Sequence, residues 1–523
     1  MNSPATPAQR NFGSDSGPIF PWREVTALFL VGVSLAIAQF LMVRDFVTIL
    51  YGEEVVIVLV STTFFLGLSL GYRWSLKLSQ RAFMGLLGLS LLLHLTFPHS
   101  YRFLAAGIAR WGGEGFAFLG LLFVYAVAFN ATFATFLPRA IHPQEGQEGE
   151  PGEGEGSNPG GGAWVTRRLK RAYSAELLGF AVGFALISLT WNRPLTWLLP
   201  IYWLGLGGLV HLVFRRGVVT LIYGGLALLA VVLLPYLDPL GSALIYEYKH
   251  NIPGAKVLYS VNSPYQKVEV VENAKGERLL YLDGLLNLNA SDLDDLNHYL
   301  AVLPAKLIQP RRALIIGNGT LSSAPRLHPH TRELLSVELD TGVLKAGKAF
   351  FTPPQALEKL DHWRLQVDDG KHFLSQSREM FDLIVMDIPS PLTVQEGVLH
   401  TKEFYRLARE RMPMTGVIAV QISGILTKND RIPARIVAAL RSEFEEVMVV
   451  NSKKADRGFA YAARRLPFTV PQVRAGQVVD ESRLEVIPPT EIDPFLTEAH
   501  PFSLDRLDLV AVRGVERFLG RYF

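Results

Sequence analysis

The sequence predicts a two-part protein: an N-terminal α-helical multi-pass membrane bundle of about seven spans, then a C-terminal α/β domain preceded by a small β-region. Three observations predict this. Apolar residues make up 49% of the 523-residue chain and charged residues only 19%, too greasy a balance for a soluble enzyme and too polar for a pure transporter. Nearly all the long apolar runs lie before residue 240. From about residue 243 short apolar runs alternate with helical stretches, the pattern of a parallel sheet covered by helices.

Composition removes several function classes. Net charge is only +3, so the chain carries no global nucleic-acid footprint. Cysteine is absent, which excludes disulfides, thiolate metal sites and a cysteine nucleophile. No metal site is predicted. The mean hydropathy of +0.23 averages two unlike halves.

Residues 1–22 are polar and rich in Pro, Gly and Ser, the composition of a disordered tail, and lack the pattern of a cleaved signal. The bundle is assigned to 23–240. Its apolar segments are Val25–Val43, Val55–Tyr72, Ala82–Phe97, Gly115–Leu137, Tyr173–Thr190, Leu195–Phe214 and Val218–Leu234. Gly67 with Gly71, and Gly179 with Gly183, are small residues at helical spacing, which let helices approach closely in lipid. Gln39, Asn130 and Glu176 are polar residues within spans, and a carboxylate there is expected to face the bundle interior or an interface. The stretch 143–163 is acidic, Gly-rich low complexity and reads as a linker loop.

Orientation is read from basic residues. Arg73, Lys77, Arg81, Arg139, Arg167, Arg168, Lys170, Arg171, Arg215 and Arg216 fall on one side, and Arg44, Arg102, Arg110 and Arg193 on the other. The first group, with the N-terminus, is expected to be cytoplasmic. An odd span count then places the C-terminal domain outside, where an intracellular nucleotide is not expected. These two expectations conflict and the side of the domain stays open.

In the second half, 243–310 is read as a β-region and helix, 311–466 as a nucleoside-binding α/β domain, and 467–523 as an extension. Lys256–Ser260, Lys267–Glu272 and Arg278–Leu282 read as strands, with Asn273–Gly276 as a hairpin turn. Ser291–Leu307 reads as helix. Further strands are predicted at Ala313–Ile316, Leu334–Leu339, Trp363–Val367, Phe381–Asp387, Gly416–Ile422, Val447–Asn451 and Phe459–Arg464. The first of these ends at Gly317-Asn318-Gly319, where glycines let the backbone turn tightly beside a ligand. Glu338 and Asp340 close the next strand, about 20 residues on, the offset at which an acid reaches ribose hydroxyls. Asp368-Asp369-Gly370 follows the third strand and Asp387 ends the fourth. One acid at a strand end is ordinary capping, whereas acids at three successive strand ends fall where ligands bind such sheets. In the extension, Leu504–Phe523 has apolar positions at helical spacing and is expected to pack on the domain or rest on a membrane surface.

Over 255–465 the chain resembles the polyamine aminopropyltransferases, the spermidine synthase family. The resemblance rests on Ser263-Pro264-Tyr265-Gln266, Tyr281-Leu282-Asp283-Gly284, His298, the Gly-Asn-Gly turn, Val337-Glu338-Leu339-Asp340, Asp368-Asp369-Gly370, Phe381–Asp387 and Glu403-Phe404-Tyr405. It implies a methyltransferase-like, Rossmann-type fold and decarboxylated S-adenosylmethionine as co-substrate, with no permanently bound cofactor. It implies that Gln266, Gly317, Gly319, Glu338, Asp369 and Gly370 bind the nucleoside, and that Asp387 is the catalytic carboxylate. It implies an acceptor site of Tyr265, Asp283, His298 and Ser390. The chain departs from the family at Thr320 and Ser390, where acids are usual, and at Asn287 and Asn297-His298-Tyr299. The helix after the glycines also looks short, with Pro325 inside it. The nucleoside pocket therefore looks better kept than the polyamine pocket.

The reading is a membrane-anchored transferase that moves a propylamine group to putrescine or another amine. The alternatives are a nucleoside-binding sensor coupled to the bundle and an S-adenosylmethionine-dependent methyltransferase. Expected partners are the two small substrates, the bilayer of a bacterial inner membrane and, as an open alternative, a second copy of the chain.

Overall fold

The computed structural model describes residues 22–507 and 518, apart from 51–52, 76, 114, 136–137, 139–160, 191–196, 392, 429 and 483. Nearly all of the N-terminal tail, most of the 143–163 loop, Arg139, Arg193 and most of the 504–523 segment lie outside the described residues.

The first half folds into helices α1 (Trp22–Leu50), α2 (Glu53–Ser75), α3 (Gln80–Gly112), α4 (Phe116–Ala134), α5 (Gly161–Leu189), α6 (Leu198–Phe214) and α7 (Gly217–Tyr248). All but α6 are long and apolar enough to cross a membrane, and α6 is a shorter apolar helix. Its 17 residues rise about 25 Å at helical pitch. Several helices overrun the expected spans, two of them through prolines. The third continues through Pro98 and the seventh through Pro235 and Pro239; a proline costs a helix one hydrogen bond without ending it where neighbouring helices hold it.

The glycine pairs sit where helices touch. A Cβ on Gly179 would lie 2.1 Å from the Phe29 carbonyl, and one on Gly71 would lie 2.4 Å from that of Ala131. These contacts also give direction. Gly179 meets Phe29 while Gly183 meets Ala36, so α5 runs with α1; Gly67 meets Val127 while Gly71 meets Ala131, so α4 runs with α2. Gly205 meets Ser34 and Gly208 meets Leu30, so α6 runs against α1. Glu176 is buried where α5 crosses α1, its carbonyl against Gly32. Asn130, also buried, donates to the Ala126 carbonyl at 2.9 Å.

Strands β1 (Lys256–Asn262), β2 (Lys267–Glu272), β3 (Arg278–Leu282) and β4 (Leu285–Asn289) form an antiparallel sheet. β4 escaped the sequence reading because Asp283-Gly284 is a two-residue turn with φ of 46° and 75°, which folds the chain straight back. Residues 293–308 are helical as expected, with a π-helical turn at His298–Val302.

Next come β5 (Arg312–Gly317), β6 (Glu333–Glu338), β7 (Trp363–Val367), β8 (Leu383–Asp387), β9 (Val417–Gln421), β10 (Glu446–Ser452), β11 (Arg457–Ala463) and β12 (Leu484–Ile487). The sheet order is β12-β10-β11-β9-β8-β5-β6-β7. β5 to β9 are parallel, a Rossmann-type sheet whose helices supply the crossovers. The last three strands depart from the all-parallel expectation. β10 and β11 are joined by a short turn and must pair antiparallel, and β12, absent from the sequence reading, pairs antiparallel with β10.

The domain sits on one end of the bundle. Arg44 of α1 donates to the carbonyls of Tyr265 (2.9 Å) and Ser263 (3.1 Å). Glu54 of α2 accepts from the Val394 amide at 3.1 Å. Between the two parts lies a buried charge cluster: Asp45 of α1, Arg102 of α3, Asp238 of α7, and Lys267 and Glu269 of β2. Lys267 reaches Asp238 at 3.0 Å and Glu269 at 3.3 Å. Arg102 lies 3.6 Å from Asp238 and 3.9 Å from both Asp45 and Glu269. Burying five charges is tolerable only because opposite signs alternate.

Candidate active site

A cleft of about 300 Å³ opens above the C-terminal ends of β5, β6 and β8, the place where open α/β sheets bind ligands. Its floor is the turn after β5. Gly317 has φ of 83°, and a Cβ there would stand 2.1 Å from the Asp387 carbonyl. Only glycine fits. The Asn318 amide then donates to that carbonyl at 3.0 Å, locking the turn to the end of β8. A Cβ on Gly319 would meet Val343 at 2.2 Å and Glu338 Oε2 at 3.3 Å, so the turn lies directly against that carboxylate.

Because β6 and β8 are the two neighbours of β5, their terminal acids Glu338 and Asp387 flank the glycine turn. Burial pushes the Glu338 carboxyl up to about 7, against hydrogen bonds from the Asp340 and Leu339 amides and with help from the charges of Asp340 and Asp387. Burial likewise pushes Asp387 up to about 6, opposed by Arg457 and the Asn318 side chain. Two carboxylates poised near neutrality in one cleft mark a functional-site candidate.

The other acids are committed to structure. Asp340 caps the helix Thr341–Ala346 through Gly342 (2.7 Å) and accepts from Ser263 Oγ at 2.7 Å and Gln266 Nε2 at 3.1 Å. It thereby ties the loop before β2 to the end of β6, and Gln266 lines the cleft from that tether. Asp369 caps the helix Gly370–Gln376 by accepting from His372 at 2.8 Å. Asp368 accepts from the Asp369 amide and reaches His372 Nδ1, each at 2.8 Å. Asp283 accepts from the Lys267 amide at 2.7 Å, closing its hairpin.

Of the residues singled out from sequence, Tyr265, Gln266, Asp283, Gly317, Gly319, Glu338, Asp369, Gly370, Asp387 and Ser390 all line this cleft. His298 does not. Its Nε2 donates to the Gly476 carbonyl at 2.7 Å, and burial holds the ring below its usual range, so the structure places it in packing against the C-terminal extension. Tyr299 is likewise turned away, donating to Glu481 at 3.2 Å.

Sequence reading missed Val47, Gln421 and Arg457, which also line the cleft. Arg457 starts β11 and donates to the Asn287 carbonyl at 3.4 Å. Each comes from a segment distant in sequence, and no local pattern marks it. Thr320 and Ser390 line the cleft where acids had been the family expectation; Thr320 shares a 3.0 Å hydrogen bond with Ser322.

A family profile described as "Spermine/spermidine synthase domain" matches residues 295–452. The chain is similar to polyamine aminopropyltransferase 2 of Pseudomonas aeruginosa, 29% identical over 198 residues, covering 37% of this chain and 56% of the relative. It is also similar to the polyamine aminopropyltransferase of Thermoplasma acidophilum, 29% identical over 195 residues, covering 37% and 71%. The match thus spans only part of these relatives' lengths, little more than half of the first. Among solved structures, spermidine synthase from Thermotoga maritima aligns at 18% identity with a TM-score of 0.37, over 51% of this chain and 87% of that one.

Proposed function

We propose, from the premise that the C-terminal region of this chain carries a spermine/spermidine synthase domain, that the protein is a membrane-anchored aminopropyltransferase. In this reading the six long apolar helices and the shorter α6 hold the domain at a bilayer. The donor is decarboxylated S-adenosylmethionine and the acceptor a primary amine. The observation that carries the reading is the pair Glu338 and Asp387 on either side of the glycine turn, both raised toward neutrality by burial.

Roles follow from position. Glu338 holds the ribose hydroxyls and Asp369 the adenine amino group, with Gly317 and Gly319 keeping the backbone low enough for the nucleoside to lie over the sheet. Asp387 faces the reacting centre. An amine attacks a carbon on a sulfonium only with its lone pair free. A carboxylate with a pKa of about 6 first orients the ammonium and then takes its proton near neutral pH. The C–S bond breaks with its electrons passing to sulfur, which leaves as a neutral thioether, methylthioadenosine. Alignment of two bound substrates supplies much of the rate.

The test is release of methylthioadenosine by the purified full chain, given the decarboxylated donor and a panel of amines. Turnover lost in Asp387→Asn with nucleoside binding kept is the expected outcome. Binding without turnover for every amine would instead establish a sensor, and release of S-adenosylhomocysteine from unmodified S-adenosylmethionine, with the decarboxylated donor inert, a methyltransferase.

A further inference from the structure

We propose that the acceptor is an aminophospholipid of the bilayer, its head group entering the cleft past the end of α1. This rests on the transfer reading above. The bundle supplies part of the site. Val47 of α1 is in the cleft lining. One turn earlier, Arg44 grips the carbonyls of the loop that carries Tyr265 and Gln266. On the opposite rim, Glu54 of α2 holds the amide of Val394, the first residue of the helix between the lining residues Thr393 and Leu399. Large apolar side chains at the cleft mouth are open: Tyr265 and Leu286, in the lining, and Val394 beside it are exposed at 37%, 55% and 39%. An exposed apolar rim at a helix-bundle end fits an amphiphile better than a water-borne polyamine.

Charge inside the cleft points the same way. Asp340 and Asp368 are taken up by caps and tethers, Asp283 by its turn and Glu396 by the Thr393 amide at 3.0 Å, while Asp369 belongs to the nucleoside end in the reading above. Arg457 lines the same cleft as Asp387 and donates to the Asn287 carbonyl at 3.4 Å. A cleft holding both a carboxylate and a guanidinium disfavours the second ammonium of a diamine, which the guanidinium repels. It complements a head group bearing an ammonium next to a phosphate, which guanidinium groups bind well. Leu282, Leu285, Leu296, Ile388 and Leu399 add an apolar part to the cleft lining. In the step itself the head-group nitrogen, its lone pair freed, forms a bond to the propyl carbon attached to the sulfonium sulfur of the donor. The C–S bond breaks with its electron pair going to sulfur, and the displaced ammonium proton passes to Asp387 and on to water.

The full chain is placed in phosphatidylcholine vesicles, whose quaternary nitrogen has no lone pair, with or without phosphatidylethanolamine, and given the decarboxylated donor. Expected is methylthioadenosine release at least tenfold faster with phosphatidylethanolamine, and a lipid heavier by one aminopropyl group. Arg457→Met and Val47→Glu are expected to lose that lipid-dependent turnover while nucleoside binding is unchanged. Turnover of free diamines or free amino acids that is equal in both vesicles overturns the proposal and leaves the transfer reading standing. No methylthioadenosine with any acceptor fails the transfer reading itself.

A separate observation assigns the side. α1, α3, α5 and α7 run toward the domain while α2, α4 and α6 run away: residues 44–50, 53–54 and 102–110, with the end of α7, lie at the domain end. Arg73, Lys77, Arg81, Lys170, Arg171, Arg215 and Arg216 therefore gather at the other end, against Arg44, Arg102 and Arg110 at this one. Basic residues stay cytoplasmic, so we infer that the cleft faces away from the cytoplasm and that, under the transfer reading, the nucleoside donor has to cross the membrane to reach it. The chain has no cysteine, so a single introduced one reports cleanly. Val479→Cys, at a position 99% exposed, is expected to react with a membrane-impermeant maleimide in intact cells, and Gln80→Cys only after permeabilisation. The reverse pattern overturns the orientation and puts the cleft in the compartment where nucleoside donors are made.

Discussion

Replacing Arg102 by Met tests what holds the domain to the helices. Arg102 is 4% exposed and faces three carboxylates, Asp238 at 3.6 Å and Asp45 and Glu269 at 3.9 Å. At an effective dielectric of about 20, each such contact is worth roughly 4 kcal/mol before desolvation. The substitution removes all three attractions and leaves Asp45, Asp238 and Glu269 around Lys267 alone. Stranding buried charge in this way costs about 3–5 kcal/mol net. Thermal unfolding of the detergent-solubilised chain should shift down accordingly, and protease should cut first in 249–256, between α7 and β1. Arg102→Lys should recover part of the loss. The pH dependence has a definite sign. Burial raises the Glu269 carboxyl, but Lys267 and Arg102 outweigh it and hold the group below its ordinary value. Its contribution is therefore full above the unfolded carboxylate range and is lost as pH falls through the lower folded value. That acid limb should flatten in Arg102→Met. An Arg102→Met protein within about 1 kcal/mol of the parent, the size of an ordinary surface pair, would refute the cluster as the joint.

Asp387→Asn should lower turnover at least 100-fold, within the range of a lost general base, and the parent's rate should fall as pH drops through about 6, where Asp387 protonates; a pH–rate profile of both proteins checks this. Glu338→Gln should weaken nucleoside binding by calorimetry yet raise thermal stability at pH 8 and not at pH 5. The carboxyl is held at about 7, so keeping it charged above that pH costs the fold up to about 3 kcal/mol. Gly317→Ala should leave little folded protein on gel filtration, since its Cβ would stand 2.1 Å from a backbone oxygen at a φ of 83°. His298→Gln should leave steady-state turnover within about twofold, as a change outside the cleft does in the absence of a packing defect, because its ring bonds Gly476 rather than the cleft.

What the sequence made legible was local. A Gly-Asn-Gly turn after an apolar run, and acids at the ends of the strands that follow, are set by residues adjacent in the chain. Their convergence on one cleft follows from parallel β5, β6 and β8. What the acids do there was less legible. Asp340, Asp369 and Asp283 look alike in sequence to Glu338 and Asp387, and only the structure shows three of the five drawn into caps and turns. Val47, Gln421 and Arg457 were invisible because each arrives from another segment. The apolar spans ended at Phe97 and Leu234, whereas the third and seventh helices continue through Pro98, Pro235 and Pro239, where neighbouring helices hold the backbone.

This division has a physical consequence for the two ends of the cleft. In the proposed reading, the nucleoside side is built by strand-ends of one sheet. The amine side is assembled from the β3–β4 hairpin, the 388–399 segment, β11 and a bundle helix, and its shape depends on how the two halves dock. Arg44 fixes the Ser263–Gln266 loop by two carbonyls, and Asp340 fixes the same loop from below through Ser263 and Gln266. A single loop is thus clamped between the helices and the sheet. Any shift of the bundle relative to the sheet is transmitted to Tyr265 and Gln266, so in the proposed reading acceptor choice depends on how the helices pack.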